Sequence, residues 1–507
     1  MKTKIFLLLI FLLCNAVFIC AQDLFLESKQ DSVGKEDIVA QVDTIKITAE
    51  EFYYSYEFGP AFPKREKNSK SVHLKYLINE KLLAMEGYKT GVMEQNDVKG
   101  MYNDFKADLA SEEMFRQEIL PDVKITEDEI DRVTEKKLIE YDLRWLYSRD
   151  ENSAADLLKK LKDGVSFDSL FNGQLNDSVF INDRKMTSTL YDIYMKNPLL
   201  AGILDTLRAG IIPPPIHTDD GWYIIKVDNI QRSLINGEAE INKLRSESEE
   251  GIKKSKMGIK SDEFIKGLFD KEDPVIKRDA FNLLRSYLGK FVLPSEKYQE
   301  WGLEGKLDSA LSALGLKRGD KYPGIILVAG SVYEYSLDDF IEWYRDRSEY
   351  IKFSEDDLNS FSYSLENLVW IMVRDRMLAK TAENKGYTKS PWVKKQAAWW
   401  RDKIAYSAYR NKLEKSITLN SDEINLIKEN KKSESDIMSE ELSKKVLHKV
   451  LQLRQEHKVI INKDVLDKIK VSSENDRKAI DIYFVKRGNL IPRTLYPSID
   501  NDWISWE

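Results

Sequence analysis

The side chains able to do chemistry are few. Four histidines are present, His73, His217, His448 and His457. The last two lie nine residues apart, off the one-turn spacing at which two helical imidazoles share a metal, so no metal site is expected. The only cysteines, Cys14 and Cys20, fall near the start of the chain. Carboxylate pairs such as Glu50 with Glu51 and Glu112 with Glu113 match the acid and base of glycoside hydrolysis by count alone, and the surface of a helix is the commoner place for such pairs. No glycine-rich loop suited to phosphates occurs, so no nucleotide and no other cofactor is expected. Two aromatic stretches remain. In "KKQAAWWRDKIAYSAYR" a predicted helix carries Trp399, Trp400, Tyr406 and Tyr409, which serve either as core or as a groove for extended apolar segments. In "DDGWYIIKVDNI", residues 219–230, a strand-like alternation carries Tyr223.

These residues need elements to position them. "IVAQVDTIKITAEEF" predicts a strand, a turn and a helix opened by a capping box of Thr48 and Glu51. "LKYLINEKLLAMEGYKTGV" follows with Leu74, Leu77, Ile78, Leu82 and Met85 on one helical face and Gly91 as a stop. Further helices are expected from about Asn96 to Ile119 and from Thr126. The same order returns in "IILVAGSVYEYSLDDF", with a box at Ser336 and Asp339, and in "LENLVWIMVRDRMLAKTAENKGY", which ends at Gly386. Gly91 and Gly386, Val98 and Val393, and Ile130 and Ile424 keep a separation of about 295, as an internal duplication would; two ordinary helical hairpins of similar length are the other reading. Between them, residues 141–230 read as strand, helices and strand, predicting a mixed sheet packed by helices. A charged linking helix is expected from Glu238 to about Glu272, with helices on to Leu316. A long helix, a short one and a terminal strand "AIDIYFV" close the chain.

The opening "MKTKIFLLLIFLLCNAVFICAQ" has the two lysines, apolar run and small residue of a cleaved export signal, with cleavage expected after Ala21. Its apolar run is shorter than the roughly 20 residues that span a bilayer. The mature chain would then be free of thiols, which excludes cysteine nucleophiles, disulfides and cysteine-bound zinc. Asp and Glu number 85 against 78 Lys and Arg, with no basic block, so nucleic acid is not an expected partner.

Several segments together resemble the SurA-type periplasmic chaperones and parvulin-type prolyl isomerases. The strand, Thr-capped helix and "LINEKLLAMEGYKTGV" are similar to their chaperone core, and "LRQEHKVIINKDVLDKI" to their C-terminal helix and the segment after it. The strongest match is "LRAGIIPPPIHTDDGWYIIKV", where Leu207, Gly210, Pro215, Gly221, Ile224, Ile225, Lys226 and Val227 fit the parvulin pattern. The resemblance implies an α+β fold, mainly α, in which duplicated helical chaperone modules flank a parvulin-like α/β domain. The expected boundaries are 1–21 for the signal, 22–140 for the first module and 141–234 for the parvulin-like domain. Residues 235–324 follow as a helical linker region, 325–470 as the second module with its C-terminal helix, and 471–507 as a strand and tail.

Where such parvulins carry histidines on the first and last strands, this chain has Trp145 and Tyr223. Asp177 falls loosely at the family's Cys or Asp position, and His217 is either a displaced catalytic imidazole or an ordinary loop residue. An indole and a phenol keep ring volume but lose two ionisable imidazoles, so the fold is expected to survive the exchange and the polar network is not. The resemblance therefore implies a periplasmic holdase for unfolded outer-membrane or secreted proteins, with Trp145, Met186, Leu190, Tyr223, Trp399 and Trp400 as client-binding candidates. An active isomerase with rearranged residues, or a structural subunit of an outer-membrane assembly that engages its machinery, are the alternatives. The client groove is expected between the helical copies, with the late helix and terminal strand completing the second copy.

Overall fold

Asp43, whose short side chain tolerates its positive φ of 48°, turns the strands Ile38–Val42 (β1) and Ile45–Thr48 (β2) into an antiparallel hairpin. It belongs to a computed structural model that describes residues 33–176, 179–196, 198–218, 221–233, 237–319, 324–429, 432–472 and 493–506. The chain divides into two units, Met1–Asp122 with Gly258–Glu507, and Val123–Met257. It is mainly α with some β.

Thr48 caps helix Ala49–Glu57 (α1), accepting from the Glu51 amide at 3.2 Å. The Glu51 carboxylate does not return to the cap; it binds Lys81 at 2.5 Å, so only half of the expected capping box is seen. Ser69–Lys89 (α2) stops where Gly91 enters the left-handed region at φ 71°, and Asn96–Glu118 (α3) follows. Glu127–Leu138 (α4), opened by a full box of Thr126 and Glu129, lies in the second unit.

In that unit come Ile139–Ser148 (β3), helices Glu151–Lys162 (α5) and Phe167–Gln174 (α6), Lys185–Thr189 (β4) and Leu190–Lys196 (α7). After helix Pro198–Leu204 come Ile216–Thr218 (β5) and Gly221–Arg232 (β6). The sheet order is β4-β3-β6-β5, and every neighbouring pair is antiparallel. This corrects the expected mixed sheet: two residues join β5 to β6, and a link that short permits only an antiparallel pair.

Glu238–Glu272 (α8) begins in the second unit and ends in the first. Val275–Ile276 (β7) and Arg278–Val292 (α9) follow, then helices Ser295–Glu300 and Leu303–Ala313. A second hairpin, Ile326–Ala329 (β8) and Glu334–Ser336 (β9), leads into Leu337–Arg345 (α10), opened by the full box of Ser336 and Asp339. Leu358–Asn384 (α11) is followed by Gly386 at φ 84° and Pro391–Lys415 (α12). The last elements are Ser421–Lys428 (α13), Glu434–Glu456 (α14), Val459–Ile461 (β10) and helix Lys463–Lys468.

Two sheets lie in the first unit, with orders β10-β1-β2 and β7-β8-β9. The closing elements therefore do not complete the second module as expected. β10 pairs with β1, and α14 packs on α2, because the first hairpin has an open edge that only a distant strand fills. Residues 278–316 are not a linker either. Ala280, Leu283, Leu284 and Leu288 share a core with Leu337, Phe340, Leu365 and Val369. α2 packs on α12, and α3 on both α11 and α12. Trp399 and Trp400 lie in this packing, 7% and 6% exposed, with Met372 and Met377 also buried, so these four line no exposed groove between the helical stretches. The export signal, Asp177 and the terminal strand 479–485 lie outside the described residues.

The C-terminal stretch 493–506, expected as a tail, is core. Tyr496 stacks on Tyr54 at 4.1 Å, and Trp503 is fully buried against Tyr76. Nearby, His73 is fully buried, its Nε2 2.9 Å from the Ser55 hydroxyl, and Nδ1 has no hydrogen-bond partner among the described residues. Burial, with the Lys64 and Lys403 cations adding to it, lowers its pKa to about 3. Between the ordinary value of about 6.5 and that lowered one, the unfolded chain binds a proton that the folded chain refuses. The stability due to neutral His73 is thus present above pH about 6.5 and lost as pH falls, at roughly 1.4 kcal/mol per pH unit. Urea unfolding at pH 7 and pH 5 should show a smaller acid loss for His73→Gln than for the parent, and equal losses would show that His73 does not titrate this way.

Candidate functional site

The sheet of the second unit has two faces with different contents. Alternation along β3 sends Tyr141, Leu143, Trp145 and Tyr147 to one side and Arg144, Leu146 and Ser148 to the other. The far face is sealed. Leu146 and Ile224 pack against Phe167 and Phe171 of α6. Above them Arg144 binds Asp228 at 2.5 Å and Asp168 at 2.8 Å, with its guanidinium over both phenylalanine rings. Arg144 donates to the Asp228 carboxylate, and that hydrogen bond holds its pKa below the usual range.

The near face is aromatic and half-covered. In the antiparallel register Tyr147 stands opposite Tyr223, and Trp145 opposite Ile225, so Trp145, Tyr147 and Tyr223 share one side of the β3–β6 ladder. The Tyr147 and Tyr223 rings meet edge to face at 5.4 Å. All three keep part of their surface exposed. Gly221 makes room for them: at φ 149°, a Cβ there would come within 2.6 Å of the Tyr147 ring and 2.7 Å of the Ser148 carbonyl. This is the structural use of the glycine in "DDGWYIIKV".

Backbone contacts fix the platform. The Trp145 amide donates to the Arg184 carbonyl at 3.1 Å. The Gln174 side chain acts as a one-residue extension of the sheet, accepting from the Tyr147 amide at 3.0 Å and donating to its carbonyl at 2.9 Å. The Arg184 guanidinium sits 4.9 Å from the Tyr147 ring centre. The turn that leads into Arg184 leaves Phe180 63% and Ile181 47% exposed.

The sequence candidates divide accordingly. Trp145 and Tyr223 come together on this face, with Met186 of β4 partly buried against the same cluster. Leu190 is corrected to core, since it is fully buried under the sheet. Trp399 and Trp400 are corrected as well: they pack inside the first unit, where the Trp400 ring lies 4.7 Å from that of Phe105. His217 is exposed and tilted against Trp222, which alternates to the side opposite Tyr223, so it is no displaced catalytic group on this platform. The carboxylate pairs are bound elsewhere, Glu50 with Lys395, Glu51 with Lys81, Glu112 with Arg493 and Glu113 with Arg116. No group of three or more His, Cys, Asp or Glu able to hold a metal occurs among the described residues. Sequence reading missed Tyr147, which the two-residue period of β3 brings to the side of Trp145, and Gln174 and Arg184, which carry no local signal.

Chemically the face offers ring surfaces, an indole N–H, two phenols and one guanidinium. None of these is an imidazole poised to exchange a proton near neutral pH. The arrangement suits contact with apolar groups more than proton transfer.

No family model and no curated protein matches this chain. Among solved structures it is similar to the peptidylprolyl isomerase PrsA of Bacillus anthracis, at 16% identity and a TM-score of 0.20, covering 37% of this chain and 94% of that one. It is similar to PrsA of Bacillus subtilis at 17% identity and a TM-score of 0.16, covering 46% and 92%. For PrsA of Bacillus cereus the identity is 12%, the TM-score 0.22 and the coverage 57% and 96%.

Proposed function

We propose that this chain is an exported, ATP-independent chaperone that holds unfolded polypeptides, and that Val123–Met257 is a parvulin-like unit which binds client segments but isomerises proline poorly. The carrying observation is the placement of Trp145 and Tyr223 on one face of adjacent strands, where the resemblance puts paired histidines. Rotation about an X-Pro bond makes and breaks no covalent bond. Its barrier of roughly 18–20 kcal/mol falls only when the twisted amide is favoured over the planar one. A polar network around two imidazoles is replaced here by rings, and these bind planar and twisted prolines alike.

Binding without turnover fits a holdase, which works by mass action: a captured unfolded chain is withdrawn from aggregation. The core burial of Trp399 and Trp400 moves the client surface from the helical copies to this sheet face, with exposed Phe180 and Ile181 beside it in sequence. Strands bound for an outer-membrane barrel alternate in polarity and offer one apolar side, the kind of segment an open aromatic face accepts. The expected place of action is the periplasm, after cleavage behind Ala21.

Four measurements test this. In a proline-limited peptide assay the mature chain should stay within about tenfold of the uncatalysed rate, well short of the 10²–10⁴ that acid–base groups typically add. Tyr223→His alone should not raise it, because Trp145 holds the partner position; rapid parent turnover would refute the degenerate site. At near-stoichiometric ratio the chain should suppress aggregation of an unfolded barrel protein, and Trp145→Ala with Tyr223→Ala should weaken this without loss of the fold. Leu146→Ala, on the sealed face, should instead cost about 2–5 kcal/mol of stability. Mass measurement of envelope protein should find a chain starting at Gln22.

A further inference from the structure

The first unit makes the same contacts twice. Phe105 of α3 and Trp400 of α12 are separated by the interval that separates Gly91 from Gly386, and their rings meet at 4.7 Å. A residue touches its own equivalent only where a two-fold axis passes between them. Away from that point the contacts come in pairs. Lys81 of α2 binds Asp402 of α12 at 2.6 Å, and Arg376, the equivalent of Lys81 on α11, binds Asp104 of α3 at 3.2 Å, one helical turn before Ala107, the equivalent of Asp402. Gly87 of α2 lies so close to Ala405 and Tyr409 of α12 that a Cβ would stand 2.7 Å from one and 3.3 Å from the other. The equivalents of these three are Ala382 of α11 with Ala110 and Met114 of α3, which form a buried cluster.

The closing pieces repeat too. Just after β10 the amide of Asn462 donates to the Val39 carbonyl of β1 at 2.8 Å. Just after β7 the amide of Lys277 donates to the Leu327 carbonyl of β8 at the same 2.8 Å. On the preceding helices, Val446, Val450 and Leu453 of α14 turn inward at the spacing of Ser261, Ile265 and Leu268 of α8. Yet in the chain α8 and β7 come before the second hairpin they complete, and α14 and β10, after the second set of long helices, complete the first.

We infer that the chain is two copies of one protomer joined end to end, with the helix and strand that close each copy exchanged onto the other. The α2–α12 and α3–α11 contacts are then a homodimer interface made internal, and the partner that each copy's seam fits is a second copy. The copies differ at one place. In the first, the whole four-stranded sheet unit lies between α4 and α8. In the second, the equivalent helix α13 is joined to α14 by residues 429–433 alone, so the insertion point is kept without the inserted unit. The chain thus carries one sheet unit for two helical copies, where a true dimer of such protomers would carry two.

Two experiments on the mature chain, which lacks Cys14 and Cys20, test this. The first places a protease site between Gly319 and Gly324 and cysteines at 40 and 461, partners across β1 and β10. After cleavage and oxidation a denaturing non-reducing gel should show full mass, because the bond joins the two fragments. The pair Ala40→Cys with Ile276→Cys, which reports closure within one copy and lies in a single fragment, should stay unbonded, both thiols taking up an alkylating label by mass. A bonded 40–276 pair with separate fragments for the 40–461 pair would overturn the exchange. In the second, a duplicate of residues 139–233 replaces 429–433. The chain should still unfold cooperatively and keep its helical circular dichroism, as a disordered Gly/Ser insert of equal length does. Loss of the helical body with the duplicate but not with the Gly/Ser insert would overturn the equivalence of the two positions.

Discussion

An open strand edge is the constraint on which the helical body depends. Each two-stranded hairpin leaves a row of backbone donors and acceptors unpaired, and two strands alone are marginal in water. Both hairpins meet this with a third strand brought from elsewhere, β10 to β1 and β7 to β8. The first pairing closes a loop of nearly the whole chain. Two later pieces are thereby drawn onto the first module: α14 packs on α2, and stretch 493–506 reaches its core.

Charge fastens that last stretch. Arg493 donates to Asp108 and Glu112, both at 2.6 Å. Glu80, 4% exposed, accepts from the Asp500 amide at 2.7 Å and the Trp503 indole at 3.0 Å, and binds Lys403 at 2.8 Å. Burial raises the pKa of Glu80 to about 7, against the pull of Lys403. The Asp500 carboxylate beside it, which burial would also raise, is brought below its usual range by the charge of Lys403. Buried ion pairs of this kind add little net stability over packed apolar groups, but removing one partner strands a charge and is costly. Their contribution is to fix which segment lies where: an apolar tail could slide along the core, whereas Arg493 and Asp500 have only a few acceptable positions.

Much of the local structure was legible in the sequence. The Thr126 and Ser336 caps, the glycine stops at 91 and 386 and the full length of α8 were readable because short-range hydrogen bonds and φ preferences decide them. The capping box at Thr48 was half right, since a tertiary partner, Lys81, outbid the backbone for Glu51. What could not be read was long-range pairing. Nothing local in "KVIIN" says that Val459 to Ile461 pair with the first hairpin, and an aromatic helix such as α12 looks the same whether its tryptophans face a client or another helix. The site was legible at Trp145 and Tyr223, where a pattern placed them, and opaque at Gln174 and Arg184, which reach the platform only through the fold.

The two faces of the sheet unit constrain their side chains to different degrees. A core lies on each side of the sheet: Leu146, Phe167, Phe171 and Ile224 on one, beneath the ion cluster of Arg144, and Tyr141, Leu143, Leu190, Leu204 and Val227 on the other. The ladder between β3 and β6 is held by backbone bonds that do not depend on side-chain identity. Trp145, Tyr147 and Tyr223 keep part of their surface exposed at the edge of the second core, so packing constrains them less than it does Leu190 or Val227. An indole and a phenol at such positions present ring surface and hydrogen-bond donors but no imidazole nitrogen able to take up a proton near neutral pH.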